Sequence, residues 1–138
     1  MSTIFTKIIN REVPAYIVYE DEFVIAFLDI SQVTIGHTLV VTKSPFETIF
    51  DLPDEIANHV FSVSVKVAKA LKAAFKIDGL NLINNNHSKA GQTVFHYHIH
   101  LIPRYDNDQL NLNFEVSNLT THEEYLFRAD QIITALND

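Results

Sequence analysis

Three histidines, His96, His98 and His100, alternate with Tyr97, Ile99 and Leu101 in a run that ends Ile102-Pro103-Arg104. Strict alternation is the period of a half-buried strand, on which successive side chains point to opposite faces. The spacing puts the three imidazoles on one face, neighbours roughly 6.6 Å apart along the strand, with the three apolar side chains packed in the core behind them. A helix would scatter them around its axis. Pro103 is expected to stop the strand, because it cannot donate to a sheet ladder. A lone histidine on a strand is usually structural, but three at this spacing over an apolar opposite face point to function. Two chemistries fit. The row could ligate a metal, imidazole being the commonest metal-binding side chain. It could also bind and attack an anionic centre such as phosphorus, with one neutral imidazole as the nucleophile.

Composition narrows the setting. The chain has 138 residues, the size of one domain, and 47% of them are apolar, including ten phenylalanines and five tyrosines. With no cysteine, disulfides and thiolate metal sites are excluded. No apolar run approaches the ~20 residues of a membrane span, and Met1 to Lys7 lack the layout of a signal peptide. A cytoplasmic protein with no membrane partner is the expectation. The formal net charge is −7 and the ten basic residues are dispersed. A polymeric nucleic acid, which needs a basic footprint, is therefore not expected as a partner. A nucleotide remains compatible, because a small phosphate ligand needs only local donors.

The remaining elements must position the row. Thr3 to Arg11 reads as a short helix or turn that Pro14 breaks. Ala15–Tyr19 and Phe23–Leu28 read as two strands of a hairpin around Glu20-Asp21-Glu22, which places Asp29 at a strand end. His37–Thr42 reads as a third strand. Asp51 to Glu55 opens a helix with proline and acids in its first turn. Ile56, Val60, Val63, Val67, Leu71 and Ala74 continue it at helical spacing for about 20 residues. Asp78-Gly79 is expected to end the helix or turn the chain after it, and His59 and Lys66 read as surface. Leu80–Asn84 is a fourth strand. The polar loop Asn85–Gln92 leads into Thr93-Val94-Phe95, which is expected to begin the histidine strand. Its amides could cradle an oxyanion, or it could be merely a polar hairpin loop. After Arg104 the chain is irregular and rich in Asn and Asp until a last helix opens near Thr121, with Leu126, Ala129, Ile132, Ile133 and Leu136 expected to face inward. No repeat and no second domain are visible.

With these pieces in place the chain resembles the histidine triad (HIT) superfamily, and within it the microbial HIT proteins and histidine triad nucleotide-binding proteins. The resemblance rests on Ala90-Gly91-Gln92-Thr93-Val94-Phe95 followed by the histidine row. Upstream it rests on Ile4-Phe5, Lys7-Ile8-Ile9, Pro14-Ala15, Glu20-Asp21, Ala26-Phe27, Asp29-Ile30 and Gly36-His37-Thr38-Leu39-Val40, all in family order. It implies one HIT domain over residues 1–138, with a core of about 3–104 and an extension of 105–138. It implies an α+β fold: a five-stranded antiparallel sheet, one long central helix and a C-terminal helix, with the sheet continued across a homodimer. It implies a purine nucleotide substrate, an AMP conjugate above all, cleaved at the α-phosphorus without a cofactor. His98 looks like the nucleophile that forms a nucleotidyl-histidine intermediate, its tautomer fixed by the carbonyl of His96. The resemblance gives His37 and His100 the α-phosphate, and Asn85, Gln92 and Thr93 further phosphate or leaving-group contacts. Asp29 would accept from the ribose hydroxyls, and Phe5, Phe27 and Ile30 would line the base pocket.

The sequence also departs from its relatives. Thr3 and Thr6 stand where several microbial relatives carry zinc-binding cysteines, and Pro45 lies where a further histidine is expected, so no structural zinc is expected. His87 occupies a position that is glycine in many relatives, so the loop is expected to turn differently. Three other readings stand beside the nucleotidyl hydrolase: a dinucleoside polyphosphate hydrolase, a slow-turnover nucleotide-binding regulator, and a metal hydrolase built on the histidine row.

Overall fold

The computed structural model describes residues 2–138. Helix α1 (Ile4–Ile9) is followed by strands β1 (Ile17–Glu20), β2 (Val24–Leu28) and β3 (Thr38–Thr42). Helix α2 (Asp54–Phe75), β4 (Gly79–Ile83), β5 (His98–Arg104) and helix α3 (His122–Leu136) complete the order. The five strands form one antiparallel sheet in the order β1-β2-β3-β5-β4, so the fold is α+β. No helix among the described residues is long and apolar enough to cross a membrane.

The sheet has a packed side and a working side. Val24, Ala26, Val40, Ile99 and Leu101 project from it onto Val60, Val63, Val67 and Leu71 of α2. Ile25, Phe27, Leu39 and Val41 project the other way, against Phe5 and Ile8 of α1. Coverage on both faces explains why β2 reads as a continuous apolar run rather than an alternating one. Helix α2 starts after Pro53 with Asp54 and Glu55 in its first turn. It stops at Lys76, which takes the left-handed conformation at φ 52°. Of the two roles expected for Asp78-Gly79, it is the second that holds: the chain bends at Asp78, after the helix, into β4, which begins at Gly79.

The histidine strand differs from its expected bounds at both ends. Residues 93–97 precede the regular strand: the Thr42 amide still reaches the Tyr97 carbonyl at 3.5 Å, but Tyr97 donates to the Phe46 carbonyl at 2.6 Å because β3 has ended at Thr42. At the other end, Pro103 does not stop the strand; it lies within β5, paired with Leu80 of β4. The carbonyls of His98 and Arg104 both point towards β4. By alternation the nitrogen of Pro103 points the other way, past Thr38–Leu101, the last pair with β3. The missing N–H therefore leaves no ladder bond unmade.

The hairpin turn and α2 are tied together by residues that read as incidental. Asp21 Oδ1 accepts from the amides of Phe23 and Val24, and Oδ2 accepts from Tyr19 and from His59 of α2, the latter at 2.6 Å. Burial raises the Asp21 pKa, but the hydrogen bonds from Tyr19 and His59 outweigh it and hold the carboxyl at about 2. His59 is thus a tie between layers. Helix α3 is where expected, capped by Thr121, yet every residue from His122 to Leu136 is exposed. Leu126, Ala129, Ile132, Ile133 and Leu136, expected to face inward, are all exposed within this chain.

Candidate active site

Strand alternation and the α1 packing together build the site. His98 and His100 leave β5 on the face that α1 covers, and the Phe5 ring meets His98 edge-on at 4.9 Å between centroids. The His98 and His100 rings lean together to 5.0 Å, closer than the strand repeat alone would set them. His98 Nδ1 lies 2.6 Å from the His96 carbonyl. A carbonyl can only accept, so Nδ1 carries the proton and Nε2 keeps its lone pair. His96 Nε2 donates to the Thr42 carbonyl at 2.6 Å by the same logic, and its ring is fully buried. His37 Nε2 and His100 Nδ1 are 3.0 Å apart, and the Val33 amide approaches His37 Nδ1 at 3.5 Å. That amide makes Nδ1 an acceptor, so His37 donates through Nε2 and the proton of His100 sits on its own Nε2. Asp29 Oδ2 is 3.6 Å from His37 Nε2, and Oδ1 accepts from the Ser31 amide at 2.8 Å.

All four imidazoles are held neutral. Burial lowers the pKa of His96 and of His98, with the hydrogen bond to the His96 carbonyl opposing it at His98. His37 is lowered by burial against the pull of Asp29. His100 is pushed down to about 4, first by burial and then by the neighbouring His98 and His37. In the unfolded chain these rings would take up protons near 6.5, so between about 6.5 and about 4 the unfolded state binds more protons than the folded one. Stability from this cluster is complete above that window and lost as pH falls through it. Urea midpoints are expected to drop between about pH 7 and about pH 5, before depressed carboxylates such as Asp21 contribute to the loss. The variant His100→Asn should flatten that slope; an unchanged slope would show that the cluster is not its source.

A cleft of about 390 Å³ opens beside these rings. Of the residues singled out in the sequence, Phe5, Phe27, Asp29, Ile30, Thr93, His98 and His100 line it. His37 stands behind His100, and His96 is buried in the wall. Two expected contacts lie elsewhere. Gln92 is spent within the loop, where its carbonyl accepts from the His87 amide at 2.7 Å and its amide donates to the Glu47 and Val94 carbonyls. Asn85 lies beside Gly91, away from the cleft lining. The loop amides of Ala90, Gly91 and Gln92 donate to the carbonyls of His87 and Ser88, so they do not form an oxyanion cradle. His87 keeps a backbone suited to glycine, at φ 73° and ψ 159°, a region that costs about 1–3 kcal/mol for other residues. Its ring stacks on Phe50 at 5.6 Å and its amide is fixed by Gln92.

Sequence reasoning missed the supports. Asn84 Nδ2 donates to the His98 carbonyl at 2.9 Å, extending β4 with a side chain where its backbone has left the ladder. Asn86 holds Asn84 Oδ1 at 2.7 Å and itself accepts from the Ile49 amide at 2.6 Å. Gln32 bridges the Gly36 amide at 2.8 Å and the His37 carbonyl at 2.7 Å, closing the loop that carries Asp29 to His37. The asparagine run 84–86 was the one available signal. Asp29, His37 and His100 have donor atoms within 4.8 Å of one another, a set that could hold a metal ion. Of these groups, His37 Nε2 and His100 Nδ1 share a hydrogen bond, and Ser31 holds Asp29 Oδ1 while Oδ2 faces His37.

The fold and the site define an α+β domain that presents a row of neutral imidazoles at the mouth of a cleft with largely apolar walls. The family model for the HIT domain matches residues 10–107, and the chain belongs to that family. The Bacillus subtilis Protein hit is 55% identical over 102 residues, covering 74% of this chain and 70% of that one. A crystal structure of a HIT family protein from Bacillus anthracis superposes with a TM-score of 0.90 at 52% identity, covering 96% of this chain and 95% of that one. The adenosine 5′-monophosphoramidase of Saccharomyces cerevisiae is 38% identical over 103 residues, covering 75% of this chain and 63% of that one.

Proposed function

We propose that the chain is a nucleotide hydrolase that cleaves purine nucleoside phosphoramidates, or related nucleotidyl conjugates, at the α-phosphorus through His98. The observation that carries this reading is the hydrogen bond from His98 Nδ1 to the His96 carbonyl, which leaves the Nε2 lone pair in the cleft. A neutral imidazole is a competent nucleophile near neutral pH, and burial keeps this one neutral. His98 Nε2 forms a bond to phosphorus as the bond to the leaving group breaks, and the departing group takes up a proton. Water then cleaves the phosphorus–nitrogen bond, releasing the nucleoside monophosphate and restoring the imidazole. The N–H of His100, backed by His37, donates to the phosphoryl oxygens as charge develops on them. Phe5, Phe27 and Ile30 supply the apolar walls for a base, and Asp29 faces the ribose. The yeast relative's name, a monophosphoramidase, points to the same leaving-group class.

Two copies pair in this reading, with the sheet running on through β4, which is an outer strand. Beside that edge lies a groove of about 450 Å³ between α2 and β4, lined by Phe61, Val65, Ala68, Leu80 and Leu82. It carries none of the imidazoles, and it fits a surface between copies.

The deciding assay compares adenosine 5′-phosphoramidate with a diadenosine polyphosphate in the absence of added metal. Preference for the phosphoramidate supports the reading, and preference for the dinucleotide replaces it with a polyphosphate hydrolase. Tight nucleotide binding without turnover of either would replace it with a regulatory protein. Asp29→Ala is expected to weaken nucleotides about 10-fold or more, the worth of a charge-assisted hydrogen bond, while leaving ribose-free phosphate esters nearly unchanged. Equal weakening of both classes by calorimetry would remove Asp29 from the ribose.

A further inference from the structure

The ladder between β4 and β5 ends at the pair Ile83–His100, so it stops short of His98. On its other side His98 is still paired, with Val41 of β3. The His98 carbonyl faces β4 and takes its hydrogen bond from the Asn84 side chain at 2.9 Å. That side chain is itself held. Asn86 Nδ2 donates to Asn84 Oδ1 at 2.7 Å, and Asn86 Oδ1 accepts from the Ile49 amide at 2.6 Å. The direction of this chain of bonds is set at both ends. The Ile49 N–H can only donate and the His98 carbonyl can only accept, so each carboxamide has one usable orientation. The two amide dipoles stand head to tail, each strengthening the other.

The far end is anchored. Ile49 follows Thr48, which is buried and caps the short 3-10 turn Ile49–Asp51. Gln92 holds the His87 amide and reaches across to the Glu47 carbonyl, so the loop that carries Asn86 is tied to the same segment. At the near end the His98 ring is held by the hydrogen bond from Nδ1 to the His96 carbonyl. A ring held through one nitrogen can pivot about that contact unless the backbone it hangs from is fixed. Asn84 fixes that backbone on the side where the sheet has ended.

We propose that Asn84 and Asn86 are positioning residues: their side-chain amides carry the placement of the Ile49 turn to the His98 main chain and so aim His98 Nε2 into the cleft. This rests on the reading of His98 as the nucleophile. Neither asparagine is among the residues lining the cleft, so their effect passes through His98. A displacement of about 1 Å at a reacting atom costs about 100-fold in rate. Loss of the two amides therefore shows in bond making rather than in binding.

The test uses full-length variants. Asn84→Leu keeps the size of the side chain and removes donor and acceptor without adding charge. Asn86→Ala leaves Asn84 in place but unheld, and carries the same comparison should Asn84→Leu fail to fold. Rapid-quench measurement follows nucleotide attached to the protein from adenosine 5′-phosphoramidate, calorimetry follows AMP binding, and urea unfolding follows stability. Asn84→Leu is expected to slow attachment about 100-fold and Asn86→Ala about 10-fold, with AMP affinity within about threefold of the wild type. Because the two amides act as one unit, the double variant is expected to be no slower than Asn84→Leu. Asn81→Ala takes an acceptor from Arg104 on the same strand; it is expected to lower the urea midpoint and leave the attachment rate unchanged. Nitrogen NMR of the ligand-free protein reads the ring without any substrate. His98 is expected as a single Nδ1–H tautomer in the wild type and as a mixture of tautomers in Asn84→Leu. Wild-type attachment rates with an unchanged His98 tautomer, whatever the urea midpoints, would overturn the proposal and leave the amides structural. AMP affinity lost in step with the rate would also overturn it, by making the asparagines ligand contacts. A wild type that gains no attached nucleotide would overturn the hydrolase reading, and the ring nitrogens alone would then decide whether Asn84 holds His98 in place.

Discussion

Replacing His98 by alanine is expected to abolish turnover, by about four orders of magnitude or more, while nucleotide affinity stays within about threefold of the wild type. The asymmetry follows from what surrounds the ring. The His37–His100 pair, the Asp29–Ser31 bond and the apolar walls of the cleft do not pass through the His98 side chain. The main-chain carbonyl of His98 still receives Asn84 when the side chain is gone, so the strand keeps its place. What is lost is the lone pair at Nε2, the Nδ1 hydrogen bond to the His96 carbonyl and the edge contacts to Phe5 and His100. Single-turnover assays with adenosine 5′-phosphoramidate give the first quantity and calorimetry with the monophosphate gives the second. Retained turnover would transfer the nucleophile's role to another group. Loss of binding together with turnover would mean that His98 holds the ligand rather than attacking it.

The parts of this architecture that are legible in the sequence are those set by local period. Alternation at His96 to Leu101 separates the imidazoles from the core-facing residues, and Tyr97, Ile99 and Leu101 do pack against α2. The helical spacing of Val60, Val63, Val67 and Leu71 names the face that α2 buries. The features that escape depend on where other strands end. Pro103 is tolerated because β3 stops at Thr38 on that side, which no property of residue 103 announces. The histidine ladder begins at His98 rather than Thr93 because Thr42 ends its partner. Gln92 reads as a ligand contact from its place beside the row, yet the fold turns it inward to fasten the loop around His87. Asn84 reads only as the end of a strand and His59 only as surface, and their hydrogen bonds to the His98 carbonyl and to Asp21 exist only once β5 and the hairpin are in position. The stripe on α3 is legible as a stripe; that it stays exposed within the chain is not.

Leu101→Asp is expected to leave no folded protein, although it touches none of the reacting groups. Leu101 is fully buried, on the opposite face of β5 from His98 and His100, within the cluster formed by Val40, Ile99 and the α2 valines. Its backbone pairs with Thr38 on one side and Leu82 on the other, so the side chain cannot swing out without breaking the centre of the sheet. Removing a buried leucine costs about 2–5 kcal/mol, and leaving an unpaired carboxylate in its place adds several more. Against a total stability of about 5–15 kcal/mol for a domain, the sum removes most or all of the margin. Leu101→Ala and Leu101→Asn separate the contributions: alanine carries the cavity alone, and asparagine carries a polar group of similar size to aspartate without its charge. Alanine should remain folded and active with a lowered urea midpoint, asparagine should be weaker still, and aspartate should give a chain without a cooperative transition at neutral pH. An aspartate variant that unfolds cooperatively, with a midpoint near that of alanine, would show that the core behind the imidazoles admits water. In that case the low pKa values of the row would need an origin other than burial.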